Sequence, residues 1–226
     1  FILIIAALMA ALPQPTQSQD APPYCQDGYP IIIIGSGLAG HSAAAEAVHL
    51  LQSRKELQSR PIIVFEKEGK FGGNSMKATS GINGANTAFQ KALNIKDDAR
   101  DFNLDTFYSH IGGKDQLQEQ KQQDLAIPDL ITILTQRSAA AVHWLQNEFE
   151  LQLTSITQCG GHSHPRTHRP PAGPAGNIIV KAVHDKIADQ VEFKYNCEVT
   201  QILMDTESKS VIGIRYKDFN DEGKVK

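Results

Sequence analysis

Cysteine is scarce in this sequence, and the patterns that usually accompany functional cysteines are missing. The three cysteines, Cys25, Cys159 and Cys197, form no C-x-x-C pair. An odd number without a spacing pattern argues against both a disulfide scaffold and a zinc site. We therefore expect these cysteines to be buried structural residues.

An excess of charge of one sign is also lacking. The sequence carries 22 lysines and arginines against 25 aspartates and glutamates, a net charge of −3, with no basic block and no acidic tail. Nothing in this balance favours nucleic acid as a partner. The sequence has no N-x-Ser/Thr acceptor for N-glycans. Its ordinary apolar content of 41% is sufficient for the core of one folded domain.

The long apolar run is confined to residues 1–12 and is shorter than the ~20 residues that span a bilayer. Polar residues 13–20 follow, an order typical of a signal peptide and its spacer. Because no cation precedes the run and the chain begins with Phe1, we expect the natural N-terminus to lie upstream. A signal anchor or an organelle-targeting segment is the alternative. We predict a signal or targeting segment over residues 1–28, with any membrane contact confined to it, and localisation in the secretory pathway or endoplasmic reticulum, with the mitochondrion as alternative.

A glycine motif directly follows a run of isoleucines near the start of the expected domain. Residues 31–34 are all isoleucine, which predicts a strand buried on both faces in a parallel sheet. Gly35, Gly37 and Gly40 follow at G-x-G-x-x-G spacing, which provides a tight turn, close approach to a pyrophosphate and close helix packing. The Ala-rich residues 41–51 predict a helix whose N-terminus favours an anion.

A second strand is predicted at residues 62–65 and ends in Glu66, where a dinucleotide site needs a carboxylate for the adenosine ribose. The separation of Gly35 from Glu66 exceeds the usual ~20 residues. The polar residues 52–60 can hold the excess. These elements predict a dinucleotide site, and at this point the cofactor could be NAD or FAD.

The segment 67–85 distinguishes these two cofactors. It is rich in Gly, Asn, Ser and Thr, whereas a nicotinamide dehydrogenase would normally continue with another strand and helix. Such a composition offers a backbone-rich surface for a large planar ligand. A nicotinamide dehydrogenase, the rival interpretation, would leave this segment and residues 160–169 without a purpose.

The same segment resembles a known family. The sequence closely resembles the flavoprotein of soluble, eukaryotic-type FAD-dependent fumarate reductases, in the superfamily of succinate dehydrogenase flavoprotein subunits. The resemblance covers residues 31–226 and is carried by Glu66-Lys67, Gly-Gly-Asn-Ser at residues 72–75, Ala-Thr-Ser-Gly-Ile-Asn-Gly at residues 78–84, and residues 160–169 and 196–199.

The resemblance implies an α/β fold, a Rossmann-like FAD-binding domain over residues 29–226 with a parallel sheet and a small antiparallel β extension. It implies that this domain is incomplete at its C-terminal end and that the capping domain is absent. The implied cofactor is FAD, with the glycines, Ser36 and Ala39 at the pyrophosphate, Glu66 at the ribose and Val199 at the adenine. The residues implied to bind FAD are Gly35, Ser36, Gly37, Ala39, Gly40, Glu66, Lys67, Gly73, Asn74, Ser75, Ser80, Gly81 and Val199.

Residues 160–176 are rich in glycine, proline, histidine and arginine, and we expect no regular element there. His162, His164 and His168 could suggest a metal, but no ligand pattern completes a set, so no metal site is predicted. By resemblance the segment lies near the flavin ring, where cationic groups would stabilise the reduced flavin and attract a dicarboxylate. A structural hydrogen bond within the loop is the alternative for each side chain. The possible flavin-side or substrate-side residues are His162, Arg166, His168 and Arg169.

The rest of the chain is interpreted from periodicity. Residues 88–123 are polar and predict a solvated loop or helix face. Pro128 predicts the start of a helix over residues 129–149. Its expected buried stripe is Leu130, Ile133, Leu134, Ala141, Trp144, Leu145 and Phe149.

Another helix is predicted over residues 177–191, followed by strands at residues 193–195, 198–204 and 211–219. The apolar stripe expected on this helix consists of Ile179, Val180, Val183, Ile187 and Val191.

The resemblance implies reduction of fumarate to succinate, in which hydride passes from reduced FAD to one alkene carbon while an acid protonates the other. It also implies an electron donor of unknown identity. In the family, the proton donor and most side chains that hold the substrate carboxylates lie in parts that would follow Lys226. We therefore name no catalytic residue. We predict that residues 1–226 alone are inactive. Reduction of another unsaturated acid, such as urocanate, and a non-catalytic flavin-binding role are the alternatives.

Overall fold

The computed structural model describes residues 29–53, 60–112 and 129–226. The predictions for residues 1–28, for Pro128 and for residues 113–123 lie outside the described residues. The described residues fall into two compact units. We call them the discontinuous unit, formed by the described residues up to Lys77 together with Val180–Lys226, and the central unit, formed by the described residues of Ala78–Ile179.

The elements follow one another in an alternating order at the start of the chain and end in a run of strands. In chain order they are β1 Ile31–Ile34, α1 Leu38–Ser53, β2 Ile62–Phe65, α2 Gly73–Lys77, β3 Ile82–Asn83, α3 Ala88–Ala92, α4 Ala99–His110, α5 Asp129–Phe149, β4 Ser155–Thr157, β5 Thr167–Arg169, α6 Ala175–Ile187, β6 Glu192–Lys194, β7 Cys197–Met204, β8 Val211–Asp218, a 3-10 turn Phe219–Asp221 and β9 Lys224–Val225.

The discontinuous unit is built on a βαβ crossover. Strands β1 and β2 pair in parallel, and β6 pairs in parallel on the other side of β2, so the strand order among the described residues is β1-β2-β6. Strands β7, β8 and β9 form a separate antiparallel sheet. The parallel sheet with an antiparallel extension confirms the predicted fold class.

Strand β1 is less buried than the sequence predicts. Ile31, Ile32 and Ile33 are half-buried, and Ile34 is 53% exposed. In the described part of the chain β1 pairs only with β2, so it lies at the edge of the sheet. The prediction that residues 31–34 are buried on both faces is therefore wrong, whereas the strand itself is correct.

Helix α6 confirms its predicted stripe. Ile179, Val180, Val183 and Ile187 are all buried, and so is Val191 beyond the end of the helix. The helix begins two residues earlier than predicted and ends before Val191.

Helix α5 has the predicted bounds but a different buried face. Ala141 and Leu145 are buried as predicted, whereas Leu130 is 75% exposed and Trp144 is only half-buried. Ile133, Leu134 and Phe149 are also only half-buried. The buried face instead consists of Ile131, Thr135, Ser138, Ala141, Val142 and Leu145.

Two hydroxyl groups explain why this face of α5 is buried instead of the predicted one. Thr135 Oγ1 donates to the Ile131 carbonyl at 3.0 Å, and Ser138 Oγ donates to the Thr135 carbonyl at 2.8 Å. Ser138 Oγ also accepts from the Ala85 N–H at 3.1 Å. Because a polar group can be buried when it is hydrogen-bonded, these residues occupy core positions that a purely apolar stripe misses.

Regular structure occurs in the segment predicted to be a solvated loop or helix face and in the segment expected to be irregular. Helices α3 and α4 lie within residues 88–123, and Thr87 and Asp98 cap them. Strand β5 lies within residues 160–176 and pairs with both β3 and β4. The capped helices are one of the two forms predicted for the first segment. Strand β5 corrects the prediction for the second, because its pairing with β3 and β4 is not revealed by apolar periodicity. Within the described ranges no helix has the length and apolar character needed to cross a membrane.

Candidate functional site

The turn between β1 and α1 depends on its glycines. Gly35 has φ +93°, in the left-handed region that favours glycine, and its N–H donates to the Phe65 carbonyl at 2.8 Å. A Cβ on Gly40 would lie 1.9 Å from the Gly35 carbonyl oxygen and 3.4 Å from the Ile33 side chain. The first turn of α1 therefore packs directly on the end of β1, as the motif predicts.

The N-terminus of α1 carries no acidic residue in its first turn. The Leu38 N–H donates to Ser75 Oγ at 3.2 Å, and a Cβ on Gly37 would lie 3.6 Å from the same oxygen. The segment that contains Ser75 therefore covers the turn. A helix N-terminus without its own carboxylate suits an external anion such as a diphosphate.

Glu66 is joined to the glycine turn by hydrogen bonds. Its Oε2 accepts from the Ser36 N–H at 2.9 Å and from Ser36 Oγ at 2.6 Å, while Oε1 accepts from the Glu68 N–H at 2.9 Å. Burial opposes ionisation of this carboxyl, but the bonds from Ser36, Glu68 and the Lys67 backbone outweigh it and lower the pKa of Glu66. The side chain is therefore a buried carboxylate.

The bonds on Glu66 limit what else the carboxylate can accept. A carboxylate offers about four acceptor positions. The Ser36 N–H, the Ser36 hydroxyl and the Glu68 N–H occupy three of them, and the Lys67 backbone also bonds to this carboxylate. Donors of the chain itself therefore satisfy most of the acceptor capacity of this carboxylate.

A cavity of about 950 Å³ opens beside the turn within the discontinuous unit. It lies at the carboxyl ends of β1 and β2, where ligands bind in open α/β sheets. Six of the predicted cofactor residues line it: Gly35, Glu66, Lys67, Gly73, Asn74 and Val199. Ser36, Gly37, Ala39, Gly40 and Ser75 belong to the same unit, in or over the turn.

Several lining residues were missed by sequence reasoning. Between the two glycine motifs these are Glu68, Gly69, Lys70 and Phe71; elsewhere they are Ile34, Phe65, Met76, Lys77, Cys197 and Glu198. Most of them lie within two residues of a predicted ligand, so chain proximity was the available signal. Burial in an apolar wall raises the pKa of the Cys197 thiol, consistent with a structural cysteine.

Ser80 and Gly81 belong to the central unit. Gly81 has φ +137°, and a Cβ there would lie 2.3 Å from the His168 carbonyl oxygen, so the chain can follow this path only with glycine. Ser80 is exposed beside it. Their predicted contact with the flavin stays a prediction.

Arg166 is completely buried and held by two aspartates. Its Nε and Nη2 donate to Asp97 at 3.0 and 2.8 Å, and Nη1 donates to Asp105 at 2.8 Å. The guanidinium carbon also lies 4.7 Å from the centre of the Phe102 ring. These contacts favour a structural role for Arg166 over contact with the flavin or the substrate.

His168 is equally buried and has a partner on each ring nitrogen. Nδ1 lies 2.8 Å from the Arg166 carbonyl, which can only accept, so Nδ1 carries the proton. Nε2 then accepts from Thr87 Oγ1 at 2.7 Å. Burial lowers the pKa of His168 and keeps the ring neutral. A structural role is therefore favoured for His168 as well.

His162 and Arg169 remain partly accessible. His162 Nδ1 is buried and has no hydrogen-bond partner among the described residues. Burial and the neighbouring Arg166 charge lower the pKa of His162. Of the four residues predicted near flavin or substrate, these two therefore keep the freedom to contact a ligand.

Metal ligation finds no support in this geometry. In residues 29–53, 60–112 and 129–226, no group of three or more His, Cys, Asp or Glu side chains could hold a metal ion.

Comparison with known proteins identifies the family that uses this turn and cavity. The family described as FAD binding domain matches residues 30–226. The chain belongs to this family of FAD-binding domains. The match decides between the two cofactors left open by the glycine motif, and the cofactor is FAD.

The relatives are consistent with this assignment. "Fumarate reductase 1" of Saccharomyces cerevisiae is 35% identical over 199 residues, which is 85% of this chain and 38% of that protein. "Fumarate reductase" of Schizosaccharomyces pombe is 34% identical over 199 residues, 84% of this chain and 35% of that protein. The chain thus spans less than two-fifths of the length of these relatives.

A solved structure also matches the fold. The open conformation of a flavocytochrome c3 fumarate reductase matches with a TM-score of 0.66 and 26% identity, covering 85% of this chain and 30% of that one. The residues of this chain fit FAD, because the Gly35–Gly40 cradle excludes a Cβ and the adjoining cavity is large enough for a dinucleotide.

Proposed function

We propose that the protein to which this chain belongs is an FAD-dependent oxidoreductase that reduces fumarate to succinate. The single observation that carries the proposal is a glycine turn and cavity built for FAD in a chain whose relatives are named fumarate reductases. FAD supplies hydride transfer when it is bound.

The chain's own contribution is to bind and orient the cofactor. The glycine turn and the N-terminus of α1 receive the diphosphate, the Glu66 carboxylate accepts from the ribose, and Val199 contacts the adenine. Lys67, Gly73, Asn74, Ser75, Ser80 and Gly81 complete the proposed FAD contacts. Support for these roles comes from the Gly35–Gly40 packing and from the lining of the cavity, which includes Glu66.

On the substrate side we assign His162 and Arg169 to the flavin or the dicarboxylate. Their partial exposure and the unpartnered Nδ1 of His162 support the assignment. Arg166 and His168 instead hold this segment in place, because both are buried and each of their side-chain nitrogens has a hydrogen-bond partner. A separate electron donor is required to reduce the flavin.

Steady-state turnover of the full-length protein tests the substrate. With dithionite-reduced viologen as electron donor, fumarate should support oxidation of the dye and urocanate should not. Turnover with urocanate alone would establish the alternative, a flavin reductase of another unsaturated acid. A flavin-loaded protein that turns over neither acid would establish the non-catalytic alternative.

A further inference from the structure

A second hydrogen-bonded cluster lies behind the cofactor turn, on the side of α1. His41 is completely buried, and its Nδ1 lies 3.2 Å from the carbonyl oxygen of Gly37, the central glycine of the motif. Its Nε2 lies 3.1 Å from Nδ1 of His184 on α6. Both histidines belong to the discontinuous unit, and neither has a role in the FAD contacts described above.

The bonding pattern fixes where the protons lie. A carbonyl oxygen only accepts, so His41 Nδ1 must carry a proton and donate to Gly37. In the neutral pair His41 Nε2 then accepts, and His184 Nδ1 donates to it. One additional proton is readily accommodated: His41 becomes the donor at Nε2, and His184 accepts at Nδ1 after its own proton moves to Nε2. The bond to Gly37 survives in both states and is stronger in the charged one.

Aromatic rings join this pair to the wall of the FAD cavity. The Phe71 ring stacks on His184 with 3.8 Å between centroids and 12° between planes, and Phe71 lines the cavity. The Phe193 ring stacks on His41 at 5.3 Å. The cluster therefore contacts the cofactor site at two points, the Gly37 carbonyl and the Phe71 ring.

The surroundings keep the pair neutral in the absence of an anion. Burial lowers the pKa of His41 most, the bond to Gly37 raises it, His184 lowers it and Glu66 raises it. Burial also lowers the pKa of His184, while Asp185 raises it and Lys181 lowers it. The net shift is downward for both rings.

We propose that the His41–His184 pair positions the Gly37 carbonyl of the cofactor turn and takes up one proton when FAD binds. The proposal rests on the FAD site. A diphosphate brings negative charge to the N-terminus of the helix that carries His41, which favours the protonated pair. The pKa of the pair is then higher with FAD bound than without it. By linkage, affinity for FAD rises as the pH falls through the bound-state pKa and levels off below the free-state pKa.

The test is a titration of the full-length apoprotein with FAD, followed by quenching of flavin fluorescence, between about pH 8 and about pH 5, a range that spans the ordinary histidine pKa. Wild-type protein should bind FAD about tenfold more tightly at the acidic end, since one unit of difference between bound and free pKa corresponds to a tenfold change. Binding that is equal across this range would overturn the proposal.

Three variants separate protonation from structure. His41→Asn keeps a donor toward Gly37 but cannot take up a proton, so it should bind FAD as wild type does at neutral pH and lose the pH dependence. His41→Leu removes the side-chain donor and leaves the Gly37 carbonyl with the main-chain N–H of residue 41, so it should bind FAD more weakly at every pH. His49→Asn, at an exposed position of the same helix, is the matched control and should behave as wild type. A His41→Asn protein that retains the wild-type pH dependence would overturn the proposal.

A measurement on the wild type removes dependence on variant folding. The enthalpy of FAD binding, measured by calorimetry in buffers of different ionisation enthalpy at a pH near the ordinary histidine pKa, reports the protons taken up. A one-unit difference in pKa gives a net uptake that peaks at about half a proton, midway between the free-state and bound-state pKa values. Uptake of about this size supports the pair as acceptor. Zero uptake contradicts it.

Discussion

Ser36 and Glu66, which lie 30 residues apart in sequence, form a closed contact in which the serine N–H and hydroxyl both donate to one carboxylate oxygen, at 2.9 and 2.6 Å. The contact joins the glycine turn after β1 to the acidic end of β2. These two ends must keep a fixed separation if one dinucleotide is to touch both. The position of Glu66 is therefore set before any ribose is bound.

Glu66→Ala should weaken FAD retention in the full-length protein. It removes the acceptor for the ribose and leaves the Ser36 and Glu68 N–H groups without their charged partner, and bonds to charged groups contribute about 1.5–3 kcal/mol each. We expect the dissociation constant of FAD to rise at least about tenfold. Ultrafiltration followed by absorbance of the released flavin measures this. Retention equal to wild type would contradict the assigned role.

The same carboxylate should make folding stability depend on acidic pH. The pKa of Glu66 is lower in the folded state than in the unfolded chain, so its contribution is present above the unfolded pKa of about 4.3 and is lost as the pH falls through the folded pKa. Glu66→Gln should flatten the corresponding part of the stability profile. Urea unfolding at a series of acidic pH values provides the measurement, and an unchanged profile in the variant would argue against this coupling.

Gly40→Ala should be strongly destabilising. The added Cβ would lie 1.9 Å from the Gly35 carbonyl oxygen, so β1 and α1 must move apart. We expect a loss of about 1–3 kcal/mol or more in the free energy of unfolding, as for other overpacked sites. Gly160→Ala is the matched control, because a Cβ there has no atom within 4 Å among its described surroundings. Equal stability of the two variants would refute the close packing.

Arg166→Gln should lower the folding stability of the protein, and we expect any loss of fumarate turnover to follow from that loss of stability. The substitution leaves Asp97 and Asp105 buried without their cation, and breaking a buried ion pair costs about 3–5 kcal/mol. Arg100→Gln, at an exposed position of α4, should change stability by less than about 0.5 kcal/mol. Thermal unfolding of the full-length variants distinguishes them. If Arg166→Gln kept wild-type stability and lost fumarate turnover, Arg166 would belong to the substrate site instead.

Sequence reasoning predicted the structure correctly where a local pattern, such as glycine spacing or apolar periodicity, determines it. The spacing of Gly35, Gly37 and Gly40 required a turn against a helix, and the stripe on α6 required an apolar face; the structure has both. Sequence reasoning failed where residues distant in sequence, or polar side chains, determine which residues are buried. The buried face of α5 depends on hydroxyls bonded within the helix.

The candidate site divides in the same way. The sequence predicted a carboxylate directly after β2, and Glu66 lies there, whereas its burial and its bonds to Ser36 were not predicted. The burial of Arg166 depends on Asp97 and Asp105, which are 69 and 61 residues away in sequence and carry no motif. The role of His41 could not be predicted, because its partner His184 lies 143 residues further along the chain. A histidine in an Ala-rich helix has no recognisable partner in the sequence itself.

Localisation stays a prediction from residues 1–28. The natural precursor should be cleaved shortly after the apolar run and enter the secretory pathway or endoplasmic reticulum. N-terminal sequencing of the mature protein, combined with cell fractionation, is the measurement. No glycan-dependent mobility shift is expected from this part of the protein, because it has no N-x-Ser/Thr acceptor. A mature cytosolic protein that retains Phe1 would contradict the prediction.

Activity of the chain as given is a separate prediction. Residues 1–226 supplied with FAD should not reduce fumarate, because orientation and charge stabilisation at the reacting carbon require substrate contacts that we expect outside this sequence. A viologen assay that compares this chain with the full-length protein is the measurement. Turnover by the chain alone would locate a proton donor within it, with His162 and Arg169 as the first residues to replace.

The most direct measurement is reoxidation of the protein-bound flavin in the full-length protein. The purified protein should carry FAD with its visible absorbance, lose that absorbance on anaerobic reduction with dithionite, and regain it when fumarate is added, with one succinate formed for each flavin reoxidised. A colourless protein that takes up no FAD, or a bound flavin that stays reduced in the presence of fumarate, would contradict the account.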